Sequence, residues 1–162
     1  MPRWVAFVVA VLVLAGAVWW WSGRNAPERR ILRQMDRVME LVEKDPGEGP
    51  LASLERARAL AELFAAEFEV RARPFDFRTR DRRALIQAIQ GYRSSSDRVW
   101  AEADGPTVQV DPSGVRAVLD VVARFGGGPS LDRGQGYRFH IGWVDERGEW
   151  RIETVDLLEV VP

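Results

Sequence analysis

The chain has 162 residues, with 23 basic against 24 acidic side chains, one histidine and no cysteine. The near-zero net charge argues against a dedicated nucleic-acid binder; the missing cysteine removes disulfides, thiol nucleophiles and zinc fingers, and the lone histidine removes metal sites built on a histidine pair. Lys44 is the only lysine, so the positive charge is arginine, which does not titrate near neutrality, and a Schiff-base or general-base lysine is not expected.

From Trp4 to Trp21 the sequence carries no charge. As a helix at about 1.5 Å per residue it spans roughly 27 Å, close to the hydrocarbon thickness of a bilayer. Trp4 lies at one end, Trp19, Trp20 and Trp21 at the other, and Arg3 and Arg24 close it off, the arrangement that a membrane interface favours. The competing reading is a cleaved signal peptide with Ala15-Gly16-Ala17 as its cleavage site. Cleavage there would leave Val18-Trp19-Trp20-Trp21 as an apolar new terminus, so the anchor is preferred. Residues 1–23 are therefore read as a transmembrane anchor (or signal peptide), 24–27 as a short linker and 28–162 as the domain.

The basic residues beyond the run, Arg24, Arg29, Arg30, Arg33 and Arg37, would by count keep the domain in the cytoplasm. The layout of charged tail and apolar core instead resembles an uncleaved signal anchor. The expectation is a single pass through a bacterial inner membrane, with the C-terminal domain on the periplasmic side.

Gly23 and Pro27 break the apolar run, and Asn25 with Glu28 reads as a capping box. A first helix carries Ile31, Leu32, Met35, Val38, Met39 and Val42 at helical spacing until Asp45-Pro46-Gly47-Glu48-Gly49-Pro50 stops it. A second follows with Leu51, Leu54, Ala57, Leu60, Ala61, Phe64 and Phe68 on one stripe. Glu69 to Phe77 alternates but is cut by Pro74, which predicts a short edge strand or extended link. Asp81 caps a third helix bearing Leu85, Ile86, Ile89 and Tyr92, ending between Gly91 and Ser96.

After Asp97 the period becomes two, and 99–103, 107–111, 115–125, 137–145 and 149–160 read as strands. Gly105-Pro106, Pro112-Ser113-Gly114, a glycine-rich stretch and Arg147-Gly148 divide them. Helices followed by a long meander predict an α+β domain, with three helices packed on a curved antiparallel sheet, cone-like in shape.

Three segments make the resemblance specific. Leu60-Ala61-Glu62-Leu63-Phe64-Ala65-Ala66-Glu67-Phe68 resembles a second helix running into a first strand, Arg80-Asp81-Arg82-Arg83-Ala84-Leu85-Ile86-Gln87-Ala88-Ile89 a third helix, and Asp145-Glu146-Arg147-Gly148-Glu149-Trp150-Arg151-Ile152 a final hairpin. Together they resemble the nuclear-transport-factor-2-like superfamily, the cystatin-like cone also used by ketosteroid isomerases, scytalone dehydratases and polyketide-cyclase-like proteins. The resemblance covers about residues 28 to 161. It implies a pocket between sheet and helices, in which the enzymes of the superfamily place two or three ionisable groups. The isomerase pair of tyrosine and acid has no residue-by-residue match in this chain.

Candidate chemistry rests first on His140, the one side chain whose ordinary range spans neutrality. Alternation puts it on the face opposite Tyr137, Phe139, Ile141 and Trp143; it looks outward if those aromatics face the helices, and into the pocket if they do not. Asp120 or Asp156 would orient its imidazole, with Tyr92 or Tyr137 as further participants. Asp120 shares its face with Arg116 and Arg124, which pair with it if that face is solvated. The arginines between Arg71 and Arg83, with Arg71, Arg73, Arg80 and Arg83 as ligand-binding candidates, suit an anionic ligand or an ion-paired surface, since Glu67, Glu69, Asp76 and Asp81 interleave with them. The glycine-rich stretch from Gly126 to Gly136 lacks the Gly-Lys-Ser/Thr of a P-loop and is a lid or a plain connection.

The leading expectation is a membrane-anchored, non-catalytic domain that binds a ligand or a protein, without metal or cofactor. Its partners are the bilayer through residues 4–21 and a second copy or an envelope protein on the sheet, with no nucleic acid. The alternative is a small-molecule isomerase, dehydratase or cyclase using His140 with an aspartate.

Overall fold

The computed structural model describes residues 26–127 and 136–161. The expected span at 4–21, the cap at Asn25 and the centre of the glycine-rich stretch lie outside the described residues. Among the described residues no helix is long and apolar enough to cross a membrane.

Three helices come first. Helix α1 (Pro27–Val42) opens on a proline, with Glu28 in its first turn and Ala26 in the cap position without a side-chain cap bond. Its buried side chains are Ile31, Met35 and Leu41. Helix α2 (Pro50–Glu62) again starts on proline and buries Ser53, Ala57, Leu60 and Ala61. It stops before Phe64 and Phe68, which the helical stripe had included; both belong to strand β1 (Phe64–Ala72), and their rings meet edge-to-face at 5.2 Å. A single 3-10 turn (Arg73–Phe75) leads to β2 (Phe77–Thr79), so Pro74 sits in a hairpin connection rather than cutting one edge strand. Helix α3 (Arg82–Ser94) is capped by Asp81, whose Oδ1 accepts the Arg83 backbone N–H at 2.8 Å.

The meander follows as β3 (Trp100–Val110), β4 (Arg116–Gly126), β5 (Gly136–Glu146) and β6 (Glu149–Val161). Gly105-Pro106 does not separate two strands: β3 runs through it, with a register shift between Asp104 and Thr107. Pro106 is tolerated because β3 is the last strand of the sheet and pairs only with β4.

The strand order is β2-β1-β6-β5-β4-β3. All pairs are antiparallel except β1 with β6, which is parallel, so the sheet is mixed and not antiparallel as expected. The reason is topological. Helix α3 carries the chain across to the far edge, three reversals return it, and β6 then arrives beside β1 running the same way. Register shifts in β1, β3 and between β5 and β6 bend the sheet around the helices.

The inner face carries Leu119 and Val121 of β4, Ile141 and Trp143 of β5, and Trp150 and Ile152 of β6, packed against Ile31, Met35, Ala61 and Leu85 of the helices. A pair of reciprocal caps locks the helix layer. Arg93 of α3 is fully buried and donates to the carbonyls of Leu41, Val42 and Glu43 at the end of α1, to Ser53 Oγ and to Glu48. Lys44, just past α1, donates to the carbonyls of Arg93 and Ser96 at the end of α3. The one lysine is thereby spent on a helix terminus.

Candidate functional site

The sheet separates two groups of candidate residues. On the outer face the pairing register runs Thr107–Asp120–His140–Asp156–Arg71–Arg78 from β3 to β2, one residue per strand. His140 Nδ1 lies 2.8 Å from Asp120 Oδ1; a carboxylate only accepts, so Nδ1 carries the proton of this bond. The two side chains are 43% and 44% exposed. Tyr137, Ile141 and Trp143 are buried toward the helices, which turns His140 outward. Asp156, next in the row, is mostly covered, and its Oδ1 stands 3.6 Å from an Arg71 nitrogen, an ion-pair separation without a hydrogen bond.

The arginine cluster divides by position. Arg71, Arg78 and Arg80 converge on Glu69, Arg80 at 3.1 Å. Arg82 turns away from them to the carbonyls of Ala61 and Ala65 and sits over the Phe68 ring. Arg73 and Arg83 are exposed and stand apart from the Glu69 group. Of the four ligand-binding candidates, only Arg71 and Arg80 share a site.

Hydrogen bonds from Arg71 and then Arg80 and Arg78, working against burial, hold the Glu69 carboxyl at about 2, against an ordinary 4.5. The folded chain therefore binds this proton less readily than the unfolded one. Its stabilisation is present above about pH 4.5 and is lost as pH falls toward 2. The three guanidinium groups are 40–68% exposed, so solvent screens the effect. Glu69→Gln is expected to lower stability at neutral pH and to flatten its pH dependence across that interval, read as urea midpoints.

The other group lies inside the cone. Val42 of α1, Leu60 of α2, Phe77 of β2, Leu85, Ala88, Ile89 and Tyr92 of α3 and Phe125 of β4 enclose an open cleft of about 280 Å³, with Arg93 at its floor. Tyr137 extends its aromatic wall, with ring centroids 6.2 Å from Phe75 and 6.4 Å from Phe125. The Tyr92 hydroxyl is buried without a hydrogen-bond partner. Burial, and then the Tyr137 phenol beside it, push its pKa up to about 12, so it remains a neutral donor at physiological pH.

The structure thus joins His140 to Asp120, with Asp156 beside them, and places Tyr92 and Tyr137 across the sheet from all three. Sequence reasoning missed Phe77 and Phe125 as cleft walls. Alternation along β4 offered the signal for Phe125, which shares a face with Leu119 and Val121. Among the described residues no three acids or histidines are grouped to hold a metal ion.

Solved structures provide a comparison for this architecture. A putative scytalone dehydratase from Novosphingobium aromaticivorans superposes with a TM-score of 0.63 at 16% identity, over 82% of this chain and 85% of that one. The fold is a nuclear-transport-factor-2-like, cystatin-like cone. A nuclear-transport-factor-2-like protein with a cystatin-like fold, from the same organism, gives 0.62 at 17% identity over 90% and 88%. A cystatin-like protein of unknown function from Nostoc punctiforme gives 0.61 at 13% over 82% and 90%. Identities this low establish the cone alone, since one fold hosts many activities. No protein-family model matches the sequence. No curated protein matches it either.

Proposed function

We propose that the chain is a membrane-tethered, non-catalytic binding domain whose cone cleft holds a small apolar ligand. The cleft itself carries this reading: an aromatic and aliphatic wall with almost no polar surface, which suits an apolar guest. Its floor cation, Arg93, is committed to carbonyls and Glu48. The tether is the apolar run at 4–21, which places the domain at a bilayer, the natural source of an apolar guest.

The test uses the full chain in nanodiscs, titrated with the neutral dye N-phenyl-1-naphthylamine. Ala88→Trp fills the cleft from its exposed rim and serves as the reference for dye dissolved in lipid. Saturable binding by the native chain beyond that of Ala88→Trp is expected; identical curves would overturn the reading. Tyr92→Phe removes a hydroxyl that has no partner, so it is expected to leave stability unchanged or slightly raised.

One observation favours a second reading, an isomerase, dehydratase or cyclase: the His140–Asp120 bond at 2.8 Å, with Asp156 next in register. It requires a substrate docked on the outer face of the sheet, and turnover abolished by His140→Ala. To a partner protein or second copy that face offers charge, with Arg116–Glu153, Arg124–Asp104 and Arg138–Glu159 ion pairs across it.

A further inference from the structure

A second opening lies at the other end of the helix layer, between the first two turns of α1 and the β5–β6 hairpin. Arg30, Arg33 and Gln34 of α1, Leu63, and Glu149, Trp150 and Arg151 of β6 enclose about 340 Å³. Three guanidinium groups face it against one carboxylate, Glu149, which is hydrogen-bonded to Arg151. Two of the cations are fixed in place: Arg30 donates to the carbonyl of Gly148 and Arg151 to that of Glu62. Each bond uses a fraction of a guanidinium's five donors. Planar guanidinium groups at fixed positions suit a phosphate, which they grip in pairs.

The hairpin tip provides an independent observation. Arg147 and Gly148 turn the chain with φ of 57° and 87°, and the turn closes through the Gly148 N–H to Asp145 Oδ1 at 2.6 Å. Both central residues of such a two-residue turn need the left-handed region, which is why Asn, Asp or Gly usually fill them. Arginine occupies the first position here and is strained. Arg147 is exposed and meets no acid among the described residues. Exposed Arg29, one residue before Arg30, adds another cation, and the acids of α1's first turn and the hairpin are Glu28, Asp145, Glu146 and Glu149.

The sequence says what lies nearby. The apolar run ends at Trp21, six residues before Pro27, and six residues reach at most about 20 Å when extended. A chain anchored through 4–21 therefore keeps the start of α1, beside this cleft, within about 20 Å of the anchor's end. We propose that the cleft seats the phosphate headgroup of an anionic phospholipid, with Arg147 as a second contact, and so fixes the orientation of the domain on the bilayer. The proposal rests on the anchor reading.

It is tested with the full chain in nanodiscs of phosphatidylcholine alone and of phosphatidylcholine with phosphatidylglycerol, by amide hydrogen exchange over 146–151 and the first turns of α1. Anionic discs are expected to slow exchange there by about fivefold or more, an effect that high salt removes. Arg33→Gln should reduce the slowing. Arg147→Gly separates binding from structure: relief of the left-handed strain is expected to raise Tm while the slowing falls, whereas a purely structural arginine would move both together.

Equal exchange in the two discs overturns the headgroup seat. Inorganic phosphate reproducing the slowing in phosphatidylcholine discs overturns the lipid in favour of a soluble anion. If the chain fails to insert, the anchor reading falls. Co-sedimentation of the full chain with phosphatidylglycerol vesicles then reads the cleft by itself: binding that is lost in Arg33→Gln supports the seat, and no binding, or binding unchanged in that variant, overturns it.

Discussion

Arg93→Met is expected to destabilise the domain by about 3–5 kcal/mol, the range for breaking a buried ion pair from one side. That is a large share of the roughly 5–15 kcal/mol that holds a typical domain folded. Urea unfolding followed by far-ultraviolet circular dichroism is the measurement. Methionine fills much of the volume, so the loss reports on polar groups. The carbonyls of Leu41, Val42 and Glu43 lose their donor at 2.6–2.8 Å, and Glu48, 7% exposed, is left without its partner of 0% exposure. Arg56, at 3.4 Å, offers Glu48 only a weaker and more exposed contact. Adding Glu48→Leu to the variant should recover part of the loss by removing the stranded carboxylate, but not the part due to the uncapped carbonyls. Lys44→Met is expected to cost less, because Lys44 is half-buried and water can replace it at the end of α3. A further consequence concerns the cleft. Arg93 ties α3 to the end of α1 where Tyr92 and Val42 form two of its walls, so dye binding should fail in Arg93→Met before the helices melt.

Arg93 also shows where a sequence stops speaking. It lies one turn after Ile89 and two after Leu85, on the stripe that faces the core. That position was visible, but an arginine there reads equally well as the end of an apolar face. The three carbonyls that make its burial tolerable come from a helix about fifty residues away, and no local pattern announces them. The parallel pairing of β1 with β6 was hidden for the same reason, since it joins Val70 to Val155 with no turn to set the register. Local rules worked where the structure is local. The two helical stripes at 31–42 and 85–92, the Asp81 cap and the Arg147-Gly148 turn were all readable, because each is decided by residues within about one or two turns of the chain. Gly105-Pro106 misled because a proline at the edge of a sheet is compatible with a bulge as well as a break.

The candidate chemistry divides along the same line. Alternation fixed which strand neighbours His140 opposes, and the meander's register then put Asp120 across from it. What alternation could not supply was the side of the sheet on which the helices pack. That choice sends His140 and both aspartates outward and Tyr92 inward, and the expected acid–base constellation becomes two half-sites separated by a sheet. The cleft draws on five elements: α3 supplies Leu85, Ala88, Ile89, Tyr92 and Arg93, and the other four give one residue each, so only its α3 wall carries a continuous signature.

The end of β4 carries the second large effect. The run of glycines there suggested a pliable connection, but its first two members are fixed by close approach. A Cβ on Gly126 would lie 1.9 Å from Trp100 Nε1, because that indole crosses the strand at its paired position. A Cβ on Gly127 would lie 1.8 Å from the carbonyl oxygen of Arg98, and its φ of +96° disfavours any side chain. The Arg98 carbonyl cannot move freely, since the next residue, Val99, exchanges both backbone hydrogen bonds with Lys44 at 2.8 and 3.1 Å. Gly127→Ala is therefore expected to cost roughly 2–4 kcal/mol, combining overpacking with left-handed strain. Gly91→Ala, in the last turn of α3 with open space around it, should gain up to about 0.5–1 kcal/mol through helix propensity. The same chemical change with opposite signs, measured by urea titration of both variants, separates glycines required by packing from those that are merely tolerated. If Gly127→Ala proves neutral, the strand end yields after all, and the tight β3–β4 closure beside the Phe125 wall of the cleft would not be what positions that ring.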